Sequence, residues 1–184
     1  FNPFPQEYNQ RLMDAAEQLP QVDGNAAVNQ GRTDLRHLPF VTIDPHDAKD
    51  FDDAVCLVDE GQERTLWVAI ADVAHYVRPG TTLDAAARNR ATSVYLPHAV
   101  LPMLPPKLAD DLCSLRAEVD RFSMVIAMRL NEANEITSTE AFEAVINVKR
   151  NLAYEDAIGK PEFESMFDLA AAWQASEVRL NIQN

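Results

Sequence analysis

No apolar run in this sequence is long enough to span a bilayer as a helix. About 18 uninterrupted apolar residues are needed, and the longest stretch, around Leu66–Ala74, is broken by Asp72. No membrane partner is expected. The opening residues, Phe1-Asn2-Pro3-Phe4-Pro5, lack the basic and apolar regions of a secretory leader. They also lack an initiating Met, so the chain is expected to begin inside a longer gene product. Cysteine is scarce. Cys56 and Cys113 sit in apolar contexts, outside any CxxC or Cys/His ligand pattern. Both are predicted to be buried free thiols, which fits a reducing cytoplasm, and a cytoplasmic location is expected. Basic residues are also in short supply: 16 Lys and Arg face 29 Asp and Glu, a net charge of −13. Nucleic-acid binders ordinarily carry a basic surface, so the bulk charge alone argues against RNA. It is compatible with RNA only if the acidic excess lies partly at a metal site and partly on a solvated face. The cations that grip phosphate would then be local, or outside this chain.

What is present is a folding sequence. Hydrophobic residues make up 47% of 184, enough for one domain with a sizeable core and too few for a comfortable two. Tyr8, Leu12, Ala15, Ala16 and Leu19 recur at helical spacing, predicting a helix over 5–19. The polar stretch Pro20–Gly31 reads as a linker. A short β-type run, Phe40–Ile43, ends on Asp44. Ala54–Val58 and Thr65–Ala74 are strand-like, with Glu60-Gly61 as the turn between them. Residues 82–91 read as a helix, and four prolines between Tyr95 and Pro106 favour an extended loop. A short helix over Lys107–Leu115, a strand over Phe122–Leu130 and a turn at Asn131–Asn134 follow. One or two strands are expected in 135–149, and helices at Leu152–Ile158 and Phe163–Ile182. This order predicts an α+β (mixed α/β) fold with a central mixed β-sheet surrounded by helices.

The densest chemistry is acidic. Asp44, Asp50, Asp52 and Asp53 fall within ten residues, with Asp47 nearby. If the strands on either side pair in one sheet, the loop between them brings the carboxylates together. Such crowding is costly unless protons or cations neutralise it. Hard oxygen ligands at a sheet edge suit Mg²⁺ or Mn²⁺, and nucleases use such groups to hold two ions about 3.5–4 Å apart. Spacing alone leaves open an Asp-rich surface loop with turn and capping roles. A Ca²⁺ loop is weaker, because the EF-hand spacing and distal Glu are absent. An aspartate-nucleophile phosphatase would want a second carboxylate where Asp44-Pro45-His46 has none.

The string Thr42-Ile43-Asp44 with Ala48-Lys49-Asp50-Phe51-Asp52-Asp53-Ala54 resembles the catalytic signature of the ribonuclease II/R family. Three further blocks follow in family order: Val68–Val77; Ala87–Pro97; and Pro102–Pro106 with Leu108 and Asp111–Leu115. Together they cover roughly residues 38–155, and four ordered blocks are far more specific than any one. The resemblance implies an RNB-like catalytic domain that hydrolyses single-stranded RNA processively from the 3' end to nucleoside 5'-monophosphates by a two-metal mechanism. It implies Asp44, Asp50, Asp52 and Asp53 as ligands of Mg²⁺, with Mn²⁺ an alternative. Asp44 and Asp53 are the first-choice ligands, Asp50 supports the second ion, and Asp52 lies near the terminal ribose. Asp52 and Asp50 are thus the catalytic pair, and loss of Asp52 should cost the most activity. Tyr95 matches the tyrosine that packs against the last nucleotide, and such stacking tolerates any base.

Other residues read more plainly. Without the resemblance, Tyr95 is equally a loop-core residue. His75 follows a strand and is taken as structural, as is Asp72. Arg116 and Arg121 read either as phosphate contacts or as surface charges. The family's catalytic domain is much longer than this chain. Its later arginine-bearing block has no match here, nor have its flanking OB-type RNA-binding domains, which are expected outside this chain. Residues 1–37 are therefore expected to be a helix and linker, and 38–184 the N-terminal part of the catalytic domain, a fragment that need not be active alone. The competing reading is a non-catalytic RNB-like module that binds RNA or protein.

Overall fold

Two strands carry the acidic cluster, and the rest of the sheet is built outward from them. The computed structural model describes residues 8–59, 61 and 63–182. Strand β1 is Thr33–Asp34, β2 Val41–Asp44, β3 Asp53–Asp59 and β4 Arg64–Ala71. Strands β7 (Asp120–Leu130), β8 (Ile136–Asn147) and β9 (Arg150–Ala153) follow a small hairpin of β5 (Val94–Leu96) and β6 (Ala99–Leu101). Seven strands form one mixed sheet in the order β1-β8-β7-β4-β3-β2-β9. The β1–β8 and β2–β9 pairs are parallel, and the others in the sheet are antiparallel.

Alternation along the strands sorts the two faces. Ala54, Cys56, Ala69 and Val125 point into the main core, where they meet Ala16, Ala27, Leu108 and Leu112 from the helical segments. Those segments are α1 (Gln10–Glu17), α2 (Gly24–Asn29), α3 (Val73–Tyr76), α4 (Thr82–Arg90) and a π-helical segment, Lys107–Leu112. On the opposite face, α5 (Tyr154–Ala157) and α6 (Glu164–Ile182) cover part of the sheet. Leu169 of α6 is buried with Leu66 and Leu130, a burial that contributes about 2 kcal/mol. Both cysteines are buried and free, as expected. Burial pushes the Cys56 thiol up to about 11 and the Cys113 thiol to about 12, so neither is a ready nucleophile. Among the described residues, no helix is long and apolar enough to cross a membrane.

The fold class is the predicted one, and several local expectations are corrected. The first helix starts at Gln10, capped by the Asn9 side chain, rather than at residue 5; residues 5–7 lie outside the described residues. The supposed linker contains α2. Its Asp23-Gly24-Asn25 start reads as a turn, but the Asp23 side chain caps the helix. Gly24 permits a close approach there, since a Cβ would collide with the Asp120 carboxylate. The strand expected over Thr65–Ala74 stops at Ala71, because Asp72 caps α3 instead of extending the sheet. The proline-rich stretch after Tyr95 is not a plain loop: β5 and β6 pair around Pro97-His98. Leu152–Ile158 is divided between β9 and α5. Of the turn at Glu60-Gly61, Glu60 lies outside the described residues, while Gly61 adopts φ 85° and donates to Asp59.

Asp72 and His75 are structural, as predicted. The buried Asp72 carboxylate accepts from Arg32 at 2.6 Å and from the His75 backbone at 3.1 Å. Arg32 in turn lies over the Phe122 ring. Replacing Asp72 by Ala leaves the Arg32 guanidinium without its buried carboxylate, with only the exposed Glu143 at 3.5 Å. The expected cost is about 3 kcal/mol, a fall in Tm of roughly 6–12 °C for a chain of this size. Thermal unfolding of Asp72→Ala measures it, and an unchanged Tm would contradict this role.

Candidate metal and RNA site

The loop that carries the cluster is held mainly through its backbone. Val41 of β2 pairs directly with Val55 of β3, so Asp44 and Asp53 stand at neighbouring strand ends. Between them, the Ala48 N–H donates to the Pro45 carbonyl in a tight turn. The next four residues are tied down at three points. Ser114 Oγ, fully buried, donates to the Lys49 carbonyl at 2.7 Å and accepts from the Phe51 N–H at 3.2 Å. The Leu115 N–H donates to the Phe51 carbonyl, and the Ala71 N–H to the Asp52 carbonyl, each at 2.8 Å. Phe51 packs against the core. With Phe51 turned inward, the alternation of an extended segment turns Asp50 and Asp52 the other way.

All four predicted aspartates open onto one cavity of about 980 Å³, and Tyr95 lines it too. Asp47 and Asp110 add two more carboxylates, against a single lining cation among the described residues, Lys49. The Asp44 carboxyl is raised above its ordinary range. Burial is the main cause, Thr42 opposes it, and the fields of Asp53 and Asp50 add to it. Asp52 is raised as well, by desolvation and then by Asp50, Asp53 and Asp44. Its side chain is nevertheless open to solvent, so water screens part of that crowding.

Tyr95 is 65% exposed and donates its hydroxyl to Asp50 Oδ2 at 2.7 Å. This contact pushes the phenol up to about 12. Tyr95 is therefore an exposed ring beside the acidic cluster and is not packed into a loop core. Its cross-strand partner Val100 lines the same cavity, giving the ring an apolar neighbour. Sequence reasoning missed Val100, because the hairpin was not foreseen. It also missed Ser114, although Ser114 stands inside the third resemblance block.

The two arginines divide. Arg121 is buried, with Nε donating to the Ser114 carbonyl at 2.9 Å and a terminal nitrogen to Asp111 at 3.0 Å. It is neither a phosphate contact nor a surface charge, and it braces the serine that holds the acidic loop. Arg116 is exposed, 3.5 Å from Asp111.

The donor set suits a hard cation. Asp44 Oδ2 is buried without a hydrogen-bond partner among the described residues, and a buried carboxylate oxygen of this kind calls for positive charge. Among the described residues, no three His, Cys, Asp or Glu side chains form a ready-made metal shell. That is compatible with Mg²⁺, which usually keeps several waters and takes one or two carboxylates together with substrate phosphates.

Comparison with known proteins gives this site its family. A model of the RNB domain matches residues 32–159. The chain belongs to the RNB domain family. It is 47% identical over 152 residues to Ribonuclease R of Vibrio cholerae, covering 82% of this chain and 18% of that protein. The fold is similar to Mycoplasma genitalium RNase R solved in complex with ribose methylated single-stranded RNA. There the TM-score is 0.87 and the identity 31%, over 95% of this chain and 29% of the other. The yeast pseudonuclease Ssd1 shares the fold at a TM-score of 0.76 and 20% identity, over 88% of this chain and 21% of the other. The chain thus spans about a fifth of the curated relative it matches.

The raised carboxyls set a pH dependence. A folded-state pKa above the unfolded value contributes stability at low pH that is lost as pH rises through the folded value. Without divalent ions, Asp52→Asn is therefore expected to raise Tm at pH 7. The gain should vanish below the unfolded carboxylate range, near pH 3–4. Melting curves from pH 3 to 8 measure this, and an equal effect at both ends would contradict a carboxyl raised by desolvation and by its acidic neighbours.

Proposed function

We propose that this chain supplies the metal-binding part of the catalytic domain of a processive 3'→5' exoribonuclease. The enzyme hydrolyses single-stranded RNA to nucleoside 5'-monophosphates. The observation that carries this reading is the shared cavity, where four aspartates and an exposed tyrosine face the same space. Family membership and the RNA-bound relative support it.

Asp44 and Asp53 are the first-choice ligands, with Asp50 and Asp52 toward a second ion. Mg²⁺ is the preferred metal and Mn²⁺ the alternative. Bound divalent ions would polarise the scissile phosphoryl group and lower the pKa of an attacking water. The residues themselves do the rest. Tyr95 and Val100 offer an apolar platform for the terminal base, which gives affinity without sequence preference. Asp52 faces the terminal ribose and holds the reacting end. Asp50, tied to the Tyr95 hydroxyl, links the base platform to the carboxylates. The cations that grip the RNA backbone belong to segments outside this chain, as do OB-type domains, because Lys49 is the one cation lining the cavity among the described residues. We infer a cytoplasmic location, since two free buried thiols suit a reducing compartment.

The test uses the full-length protein and 5'-labelled single-stranded RNA. With Mg²⁺, the expected product is a ladder shortening from the 3' end with release of mononucleotides, abolished by chelator. Asp52→Asn is expected to lower the rate by about 10²-fold or more, the scale of a lost interaction at the reacting centre, since the residue would hold the second ion and the terminal ribose. Internal cuts would contradict exonuclease action. Binding without cleavage would favour a non-catalytic module.

A further inference from the structure

The hairpin that carries Tyr95 is held at both ends, and one hold comes from outside the family-matched region. On the strand side, Tyr95 in the middle of β5 reaches Asp50. At its base, the Tyr8 hydroxyl donates to the Pro102 carbonyl at 2.6 Å, just past β6. Arg90, the last residue of α4, donates to the same carbonyl at 3.2 Å, and its guanidinium lies 3.9 Å from the centre of the Tyr8 ring. The chain then turns through Ala91 at φ 64°, a conformation unusual for a residue with a Cβ, and enters β5. The Met103 N–H donates to Ser93 Oγ at 2.9 Å and closes the hairpin neck. Tyr8 and Met13 line the same cavity as the aspartates. Burial pushes the Tyr8 phenol up to about 12, so it remains a donor across the physiological range.

We propose that Tyr8 is a positioning residue for Tyr95. The segment preceding the RNB match locks the hairpin base through Pro102 and Arg90, and so sets where the nucleotide platform stands relative to the acidic cluster. A hairpin of three-residue strands is marginal alone, so its orientation depends on such external ties. One carbonyl that accepts from two side chains while the cation stacks on the second donor's ring is a rigid joint. The inference rests on the proposed role of Tyr95 in holding the RNA end, and it deepens that role by naming what aims the ring.

The chain has four tyrosines, so 3-fluorotyrosine labelling of the 184-residue chain gives one ¹⁹F signal for each. Tyr76 is in the core and Tyr154 lies beyond β9, and both report whether the fold is intact. In Tyr8→Ala the Tyr95 signal is expected to move toward the free-tyrosine position and to narrow, with Tyr76 and Tyr154 unchanged. Tyr8→Phe keeps the ring over Arg90 and is expected to give a smaller shift in the same direction. That variant carries the test if Tyr8→Ala loses the Tyr76 signal. In the full-length protein, Tyr8→Ala is expected to raise KM for single-stranded RNA about fivefold, the scale of one lost hydrogen bond, with kcat within about twofold. A Tyr95 signal unmoved in both variants, with Tyr76 in place, overturns the inference whatever the chain does to RNA. So does a shifted signal with KM unchanged. A wild-type protein that leaves RNA intact while Tyr8→Ala still moves Tyr95 overturns the proposed function and leaves the joint standing.

Discussion

Negative charge held where it repels itself is the constraint on which this structure depends. Strands β2 and β3 end side by side, and the eight-residue loop between them returns four carboxylates to one cavity. Left to itself, such a loop would swing its side chains apart into water. It is prevented from doing so by backbone bonds to Ser114, Leu115 and Ala71 and by the inward packing of Phe51. The fold therefore stores unfavourable electrostatics at one point, and the stability of the surrounding sheet and core maintains it. A site of this kind is poised for cations, because a cation removes the repulsion that the fold has already built in.

The supports extend in layers. Ser114 holds the acidic loop, and Arg121 holds the Ser114 carbonyl while pairing with Asp111. Asp111 also accepts from Lys107 at 2.7 Å within the π-helical segment. A charge that looks in sequence like a phosphate contact is thus spent on orientation. The same division separates Asp72 from the site aspartates. Asp72 is buried but fully engaged by Arg32 and the α3 backbone, whereas Asp44 keeps a buried oxygen with no donor among the described residues. What separates the two carboxylates is whether burial comes with a partner.

Much of this was legible in the sequence. Asp44, Asp50, Asp52 and Asp53 stood out once their string was read with the ordered family blocks downstream, since their spacing alone also fits a surface loop, and the strands around them were recognisable by their apolar runs. The mixed sheet followed from the same pattern. Elements short enough to be decided by tertiary contacts were not legible. Helix α2 hides behind Asp23-Gly24, because the glycine serves close packing rather than a turn. The β5–β6 hairpin hides among prolines, which occupy its flanks and its turn rather than the paired positions. Tyr8 is more remote still: its partner Pro102 is 94 residues away, and no local pattern records such a contact. The crowding of the carboxylates was readable in the sequence, but the Asp44 oxygen that has no partner among the described residues became visible only in three dimensions.

The central claim is that this cavity binds divalent cations through the aspartate cluster. Titration of Mn²⁺ into the chain, with free ion followed by electron paramagnetic resonance, tests it without RNA or turnover. Saturable binding is expected in the wild-type chain, weakened at least about tenfold in Asp44→Asn, as for loss of a charged ligand worth a little over 1 kcal/mol. Asp72→Asn, whose carboxylate is committed to Arg32, should not weaken binding in the folded chain. Wild-type binding that is absent, or equally strong in Asp44→Asn, would contradict the account.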